Sequence, residues 1–252
     1  MNREDELLIK RINELAAKCY GSSRFIFTDF LNPSEISLIL NNERDINYVE
    51  HKFYGGTEQC ERQMLRFGSA DMLGYEEEFP ISCVVAEPMA KKFADELGHR
   101  DFLGSLMNLG IDRSTIGDIF IKEKTGYIFC VDRIAEYIAE NLEKIKHTNV
   151  KCTVEKGNID AIQPDLKPVE TVVSSERIDA IIAKIYGMSR SQGIEYFRQK
   201  KVFVNGRVME NNSYVLKEND IVSVRGFGKF IFDGLMKETK KGRMRVRMRV
   251  YI

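Results

Sequence analysis

Hydrophobic positions along this chain change period several times, and the order of the periods outlines its organisation. Leu7, Leu8, Ile12 and Leu15 fall on one side of a helix predicted over Glu4–Tyr20. Arg24–Leu31 reads as a strand, and Asn32-Pro33-Ser34-Glu35 opens a second helix with Pro33 suited to its first turn. The acidic run Glu76–Glu78 reads as a solvated loop. Ile81–Ala86 is a short apolar strand, after which Pro88 opens a helical region reaching Gly110 and broken near Gly98. Gly117–Ile121 and Tyr127–Val131 are β-rich runs joined as a hairpin. Ile134, Ile138 and Leu142, with Ala135 and Ile145, mark an amphipathic helix, and Val150–Val154 closes with a strand. Strand, helix, strand, strand, helix, strand is the split βαβ order of ferredoxin-like and RNA-recognition domains.

Beyond residue 170 the periods restart. Ile178, Ile181, Ile182 and Ile185 recur at helical spacing, and Gly187 ends that helix. Ser189 is a suitable N-cap, and Gln192 three residues later completes a capping box. The second helix is predicted over Arg190–Lys201, burying Ile194 and Phe197 and presenting Arg190, Arg198, Lys200 and Lys201. Asn205-Gly206 between two β-rich runs is a strong hairpin signal, and Asp220–Arg225 supplies another strand. The tail alternates, with Arg243, Arg245, Arg247 and Arg249 on one face and Met244, Val246, Met248 and Val250 on the other. One face can dock on the domain while the other meets phosphates.

Charge sharpens this division. The chain's net charge is zero, yet residues 171–252 hold 17 Lys and Arg against 8 Asp and Glu, while residues 1–170 hold 21 against 30. A basic module on an acidic body points to a polyanionic partner. Residues 157–170 contain two of the five prolines and read as a linker. The expected architecture is α+β: an N-terminal α/β module (1–79), a ferredoxin/RRM-like middle domain (80–156), the linker (157–170), and a basic C-terminal domain with its strand-forming tail (171–252). The five cysteines are scattered and never form CxxC, which argues for a reducing cytoplasm and against a structural zinc site. The N-terminus does not read as a signal peptide, and no apolar run reaches membrane-spanning length, so no membrane partner is expected.

Residues 174–230 resemble the S4 RNA-binding domain. The family pattern corresponds to Arg177-Ile178-Asp179, Ser189-Arg190-Ser191-Gln192, Val202-Phe203-Val204-Asn205-Gly206, Asp220-Ile221-Val222 and Arg225-Gly226. Two departures are Gly193, where the family has alanine, and Lys200-Lys201, where it has a small residue or glycine. The RNA-binding residues expected are Arg177, Lys184, Ser189, Arg190, Gln192, Arg198, Lys200, Lys201, Asn205, Arg207, Arg225, Lys229, Arg243, Arg245, Arg247 and Arg249, converging in one surface around the two short helices.

Signatures of catalysis are missing. There is no GxGxxG following a strand and no GxxxxGK[ST], and His51, His99 and His147 lack metal-ligand spacing. His99-Arg100-Asp101 reads as helix surface, not as a kinase triplet. Tyr127 and Phe129 share a face, as base-stacking aromatics would, but packing is the favoured reading. No catalytic residue, cofactor or metal is therefore expected. Over nearly its whole length the chain resembles the YlmH family, through Tyr54-Gly55-Gly56, Glu61-Arg62, His99–Gly104 and Gly117-Asp118-Ile119 together with the C-terminal pattern. That resemblance implies binding to large-subunit rRNA and peptidyl-tRNA on the large ribosomal subunit, in rescue of stalled translation with the tailing factor RqcH. It also implies that Arg177 and Arg190 touch rRNA or tRNA. The alternatives are an rRNA- or tRNA-modifying enzyme with its site in the first 80 residues, and a division-linked interaction scaffold.

Overall fold

The computed structural model describes residues 3–58, 60–156, 162, 166–238 and 242–251. The chain divides into two compact units, Met1–Gln163 and Pro164–Ile252. Among the described residues the fold is mixed α/β with three sheets.

The first unit opens with α1 (Arg3–Ser22), β1 (Ile26–Phe27) and α2 (Pro33–Asn41). Then come β2 (His51–Tyr54), β3 (Met64–Phe67) and the single turn α3 (Ala70–Leu73). Helix α2 starts where its sequence demands: Asn32 Oδ1 accepts from Ser34 and Glu35 N–H, Glu35 reaches back to Asn32 N–H, and Pro33 has no donor to orphan. The three strands form an antiparallel sheet, β1-β3-β2. Only Ile26–Phe27 of the strand expected over Arg24–Leu31 pairs regularly, with Leu31 adding an isolated bridge to Gln63. Helix α1 buries Ile12, Ala16 and Cys19, so its core stripe is rotated from the expected one, and Leu7 is 58% exposed.

The unit continues with β4 (Ile81–Pro88), α4 (His99–Asn108), β5 (Ile116–Lys122), β6 (Thr125–Val131), α5 (Asp132–Asn141), β7 (Lys144–Ile145) and β8 (Thr148–Glu155). These strands form an antiparallel sheet in the order β5-β6-β4-β8-β7. The helix expected from Pro88 begins instead at His99, because β4 runs through Pro88 and only a short 3-10 turn precedes Gly98. Asp101 sets that start by accepting the Gly98 N–H at 2.7 Å. Strands β4 and β6 are buried on both faces. Val84, Ala86, Ile128 and Cys130 face α4 and α5, while Cys83, Val85, Phe129 and Val131 pack with Phe30, Cys60 and Met64 of the N-terminal segment. The boundary expected at residue 79/80 thus lies within one unit whose two halves share a core.

The second unit contains β9 (Leu166–Val173), α6 (Ile178–Ile185), α7 (Arg190–Arg198), β10 (Val202–Val204), β11 (Arg207–Val208), β12 (Ile221–Val224), β13 (Gly228–Glu238) and β14 (Met244–Tyr251). Its six strands are antiparallel in the order β11-β10-β12-β13-β14-β9. Two expectations are corrected here. Leu166–Glu170 is strand, where a linker was expected to residue 170; the remainder of that linker lies mostly outside the described residues. Met244–Tyr251 is no peripheral tail but an interior strand, paired with β13 on one side and β9 on the other. Helix α7 also ends at Arg198, three residues short of the expected Lys201, because Lys200 takes a left-handed φ of 54°. Core side chains come from α6, α7 and one sheet face: Ile178, Ile181, Ile182, Phe197, Val202, Val222, Phe230, Val246 and Met248. Ile194, expected in that core, is only partly buried.

Candidate nucleic-acid interface

The alternation in β14 separates the expected cations into two groups. Val246 and Met248 point into the core beneath the helices, so Arg245, Arg247 and Arg249 occupy the opposite sheet face. They do not join the cations of α6 and α7, and the expectation of a single surface is corrected. Much of their charge is matched locally. Arg247 Nη2 lies 3.1 Å from Glu170 Oε1, Arg245 reaches the same carboxylate at 4.0 Å, and Arg249 pairs with Asp233 at 2.8 Å. Arg243, the residue just before this strand, is exposed. On the same face Lys229 lies 5.0 Å over Tyr251, and Arg225 lies 5.0 Å over Phe203.

The helix side holds the second group. Ser189 caps α7, accepting from Gln192 N–H while Gln192 Oε1 accepts from Ser189 N–H at 2.9 Å. This aims the first turn of α7, and with it Arg190, toward the end of β9. Arg190 donates through Nη2 to Ser174 Oγ at 2.6 Å. Arg190, Lys184 and Ser174 line one open groove of about 270 Å³ with Val172, Ala183 and Met188. Two cations beside a helix N-terminus, with no carboxylate among the described lining residues, form an anion-attracting trough.

Several other expected residues hold the fold. Arg177, just before α6, chelates the nearly buried Asp179 through Nε and Nη2 at 3.1 and 2.9 Å. Asn205 turns the hairpin with φ 51°, donates to Asp220 Oδ1 and accepts from Ile221 N–H. Asp220, 5% exposed, also accepts from Tyr214 Oη and Lys217 N–H. The Arg-x-Asp and Asn-Gly…Asp motifs are therefore largely architectural in this chain. Arg198 and Lys200 face solvent beside Glu195 and Glu210, Lys201 lies 5.7 Å over Tyr196, and Arg207 is exposed on β11.

The first unit explains its own motifs through packing. Arg62 donates to the carbonyls of Ile116, Phe30 and Arg113, and Asp118 accepts from the Glu61 and Arg62 N–H groups. Burial, then neighbouring Arg113, lowers the Arg62 pKa to about 10. Gly56 and Gly117 leave no room for a Cβ against Phe129 and Phe30. Gly126 lies under Phe102, whose ring would stand 2.1 Å from an added Cβ. Phe129 is 1% exposed, so it belongs to the core, and Tyr127 packs partly against the same cluster. The acidic run is not wholly solvated: Arg66, held between Phe25 and Phe79, pairs with Glu76 at 2.6 Å. Burial raises the thiols of Cys83, Cys130 and Cys152, the last to about 11, which disfavours the nucleophilic thiolate.

Comparison with known proteins places this geometry in a class. Residues 75–158, the β4–β8 sheet with its helices, match the family described as "Putative RNA-binding domain in YlmH". The chain is 29% identical over 228 residues to "Ribosome-associated protein quality control protein P2" of Bacillus subtilis (strain 168), covering 88% of this chain and 86% of that protein. The chain is thus similar to YlmH-type proteins, by the family match over residues 75–158 and by the Bacillus relative over most of its length. A solved structure, "Cell division protein ylmH from Streptococcus pneumoniae", is 22% identical with a TM-score of 0.49, covering 62% of this chain and 93% of that one. No helix among the described residues is long and apolar enough to cross a membrane.

Proposed function

We propose that this chain is a non-enzymatic RNA-binding protein of ribosome-associated quality control, with its grip on RNA in the second unit. In this reading residues 171–252 are an S4 domain and residues 80–156 a ferredoxin-like domain, the latter supported by the strand order β5-β6-β4-β8. The observation that carries the proposal is the groove where Lys184 and Arg190 meet beside the N-terminus of α7. The kinship to a quality-control protein supplies the setting. The polyanion is then structured RNA of the large ribosomal subunit together with peptidyl-tRNA, engaged in the cytoplasm while the tailing factor RqcH extends the stalled chain. The protein acts by occupancy, its cations replacing counterions on phosphates, so affinity falls steeply with salt.

The test is co-sedimentation with purified large subunits across a salt series. Lys184→Ala with Arg190→Ala should weaken association and flatten the logarithmic salt dependence by about two charges. An unchanged slope in the folded double variant would remove this groove from the interface. Arg177→Glu is unsuitable for the purpose, because it leaves the buried Asp179 without its cation and places a second carboxylate beside it.

A further inference from the structure

We infer that the cavity lined by the β2–β3 pair and residues 76–81 of the first unit binds a guanine base, recognised by Arg66. The cavity measures about 290 Å³, room for a small planar ligand. Strand register builds one wall. Lys52 lies directly opposite Arg66 across β2 and β3, and Tyr54 follows two residues along the same face. Arg66 is 8% exposed, and its guanidinium stands 4.9 Å over Phe25 and 5.3 Å over Phe79, which fixes its plane. Glu76 Oε1 and the Glu77 carbonyl both accept from Nη1, at 2.6 and 2.8 Å. The edge formed by Nε and Nη2 has no acceptor among the described residues, and Nε is buried. A buried donor without an acceptor costs stability. Two parallel N–H groups on one guanidinium edge are the arrangement that chelates a ligand with two adjacent acceptors.

The rest of the lining says which ligand. Lys52 and Arg66 are balanced by Glu76 and Glu78, so the described lining holds no surplus cation to attract a phosphate or a carboxylate into the cavity. Tyr54 and Phe79, ring centroids 5.3 Å apart, supply aromatic walls. Tyr54 is held in place by donating to the Gly56 carbonyl at 2.6 Å. A neutral planar ligand with two acceptors on one edge and donors on the next suits this set. Guanine has that pattern: O6 and N7 for the arginine edge, and its ring N–H and amino group for the carboxylate of Glu78. Adenine carries an amino group in place of O6 and would turn N–H against N–H at Arg66. An unpaired guanine of an RNA strand and a free guanine nucleotide present the same base. The site lies in the first unit and does not rest on the groove of the second.

Calorimetric titration of the full-length protein with guanosine 5′-monophosphate should show saturable binding, with adenosine 5′-monophosphate about tenfold weaker. Arg66→Lys keeps a cation beside Glu76 but loses the planar edge, and should erase that preference. Glu78→Gln, at an exposed rim position, should cut the preference about fivefold and decides the matter if Arg66→Lys does not fold. The preference should persist in the Lys184→Ala, Arg190→Ala double variant, which removes phosphate contacts at the groove. The two sources separate with a twelve-nucleotide oligoadenylate carrying one central guanosine. If it binds more tightly than the mononucleotide and Arg66→Lys abolishes the gain due to guanine, the base comes from RNA; equal affinity points to the free nucleotide. The site is overturned if guanine is preferred neither as mononucleotide nor within the oligonucleotide. It is equally overturned if the preference survives intact in folded Arg66→Lys or, where that variant does not fold, in Glu78→Gln. RNA binding by the groove would stand in either case.

Discussion

The sheet of residues 81–155 and the sheet of residues 166–251 each carry two helices on one face, yet their second faces have opposite fates. In the first, Cys83, Val85, Phe129 and Val131 are covered by Phe30, Cys60 and Met64 from the N-terminal segment. In the second, the corresponding side presents Arg245, Arg247 and Arg249, each partly exposed and each drawn to a carboxylate. An aromatic on a sheet is thus no sign of base stacking by itself: Phe129 sits where a reader of RNA would, but it is core. Arg190 and Lys184 lie on the helix side of the second sheet, with no carboxylate among the described residues that line their groove.

The largest effect should come from stripping the covered face. Phe129→Ala removes the ring that Gly56 is shaped to receive and should cost about 3–5 kcal/mol in urea denaturation; a loss under about 1 kcal/mol would mean the two halves of the first unit do not share that core. On the helix side of the second unit, Gly193 has room, since an added Cβ would meet only Met188 Sδ at 3.7 Å. Gly193→Ala should stabilise by about 1 kcal/mol through helix propensity, read as a raised urea midpoint with unchanged slope.

Smaller still is the expected effect on the arginine face. Arg247→Gln breaks a half-exposed pair with Glu170 and should change stability by less than about 1 kcal/mol. It should lower large-subunit affinity less than Arg190→Ala does; the reverse order would make the sheet face the main RNA surface. The smallest change concerns Asp101, whose pKa is lowered by the Gly98 N–H and then by Lys146. A carboxyl lowered on folding adds stability above its unfolded pKa and loses it as pH falls through the folded value. Asp101→Asn should therefore be slightly less stable at pH 7, with the gap to wild type closing toward pH 3. A gap that persists there would assign its cause to something other than that charge.

Much of the second unit was legible because its signals are local. The isoleucines of α6, the Ser189–Gln192 box and the Asn205-Gly206 turn each act within a few residues of the chain. The tail's alternation was legible too, but its meaning was not. Pairing with β9, residues 166–173, joins segments more than 70 residues apart, and no local pattern encodes which strand a strand will meet. For the same reason the arginines read as free for phosphate, when Glu170 and Asp233 were already waiting across the sheet.

The amino-acid order alone determined the kinds of element, the alternating faces, the basic character of the last third and the absence of familiar catalytic motifs. Those properties depend on side-chain chemistry and spacing within a turn or a strand. The tertiary structure decided which faces meet water: that the N-terminal segment covers one sheet, that the last strand lies inside another, and that the cations divide between two sides. Exposure is a property of what lies across the fold, set by contacts between residues far apart along the chain.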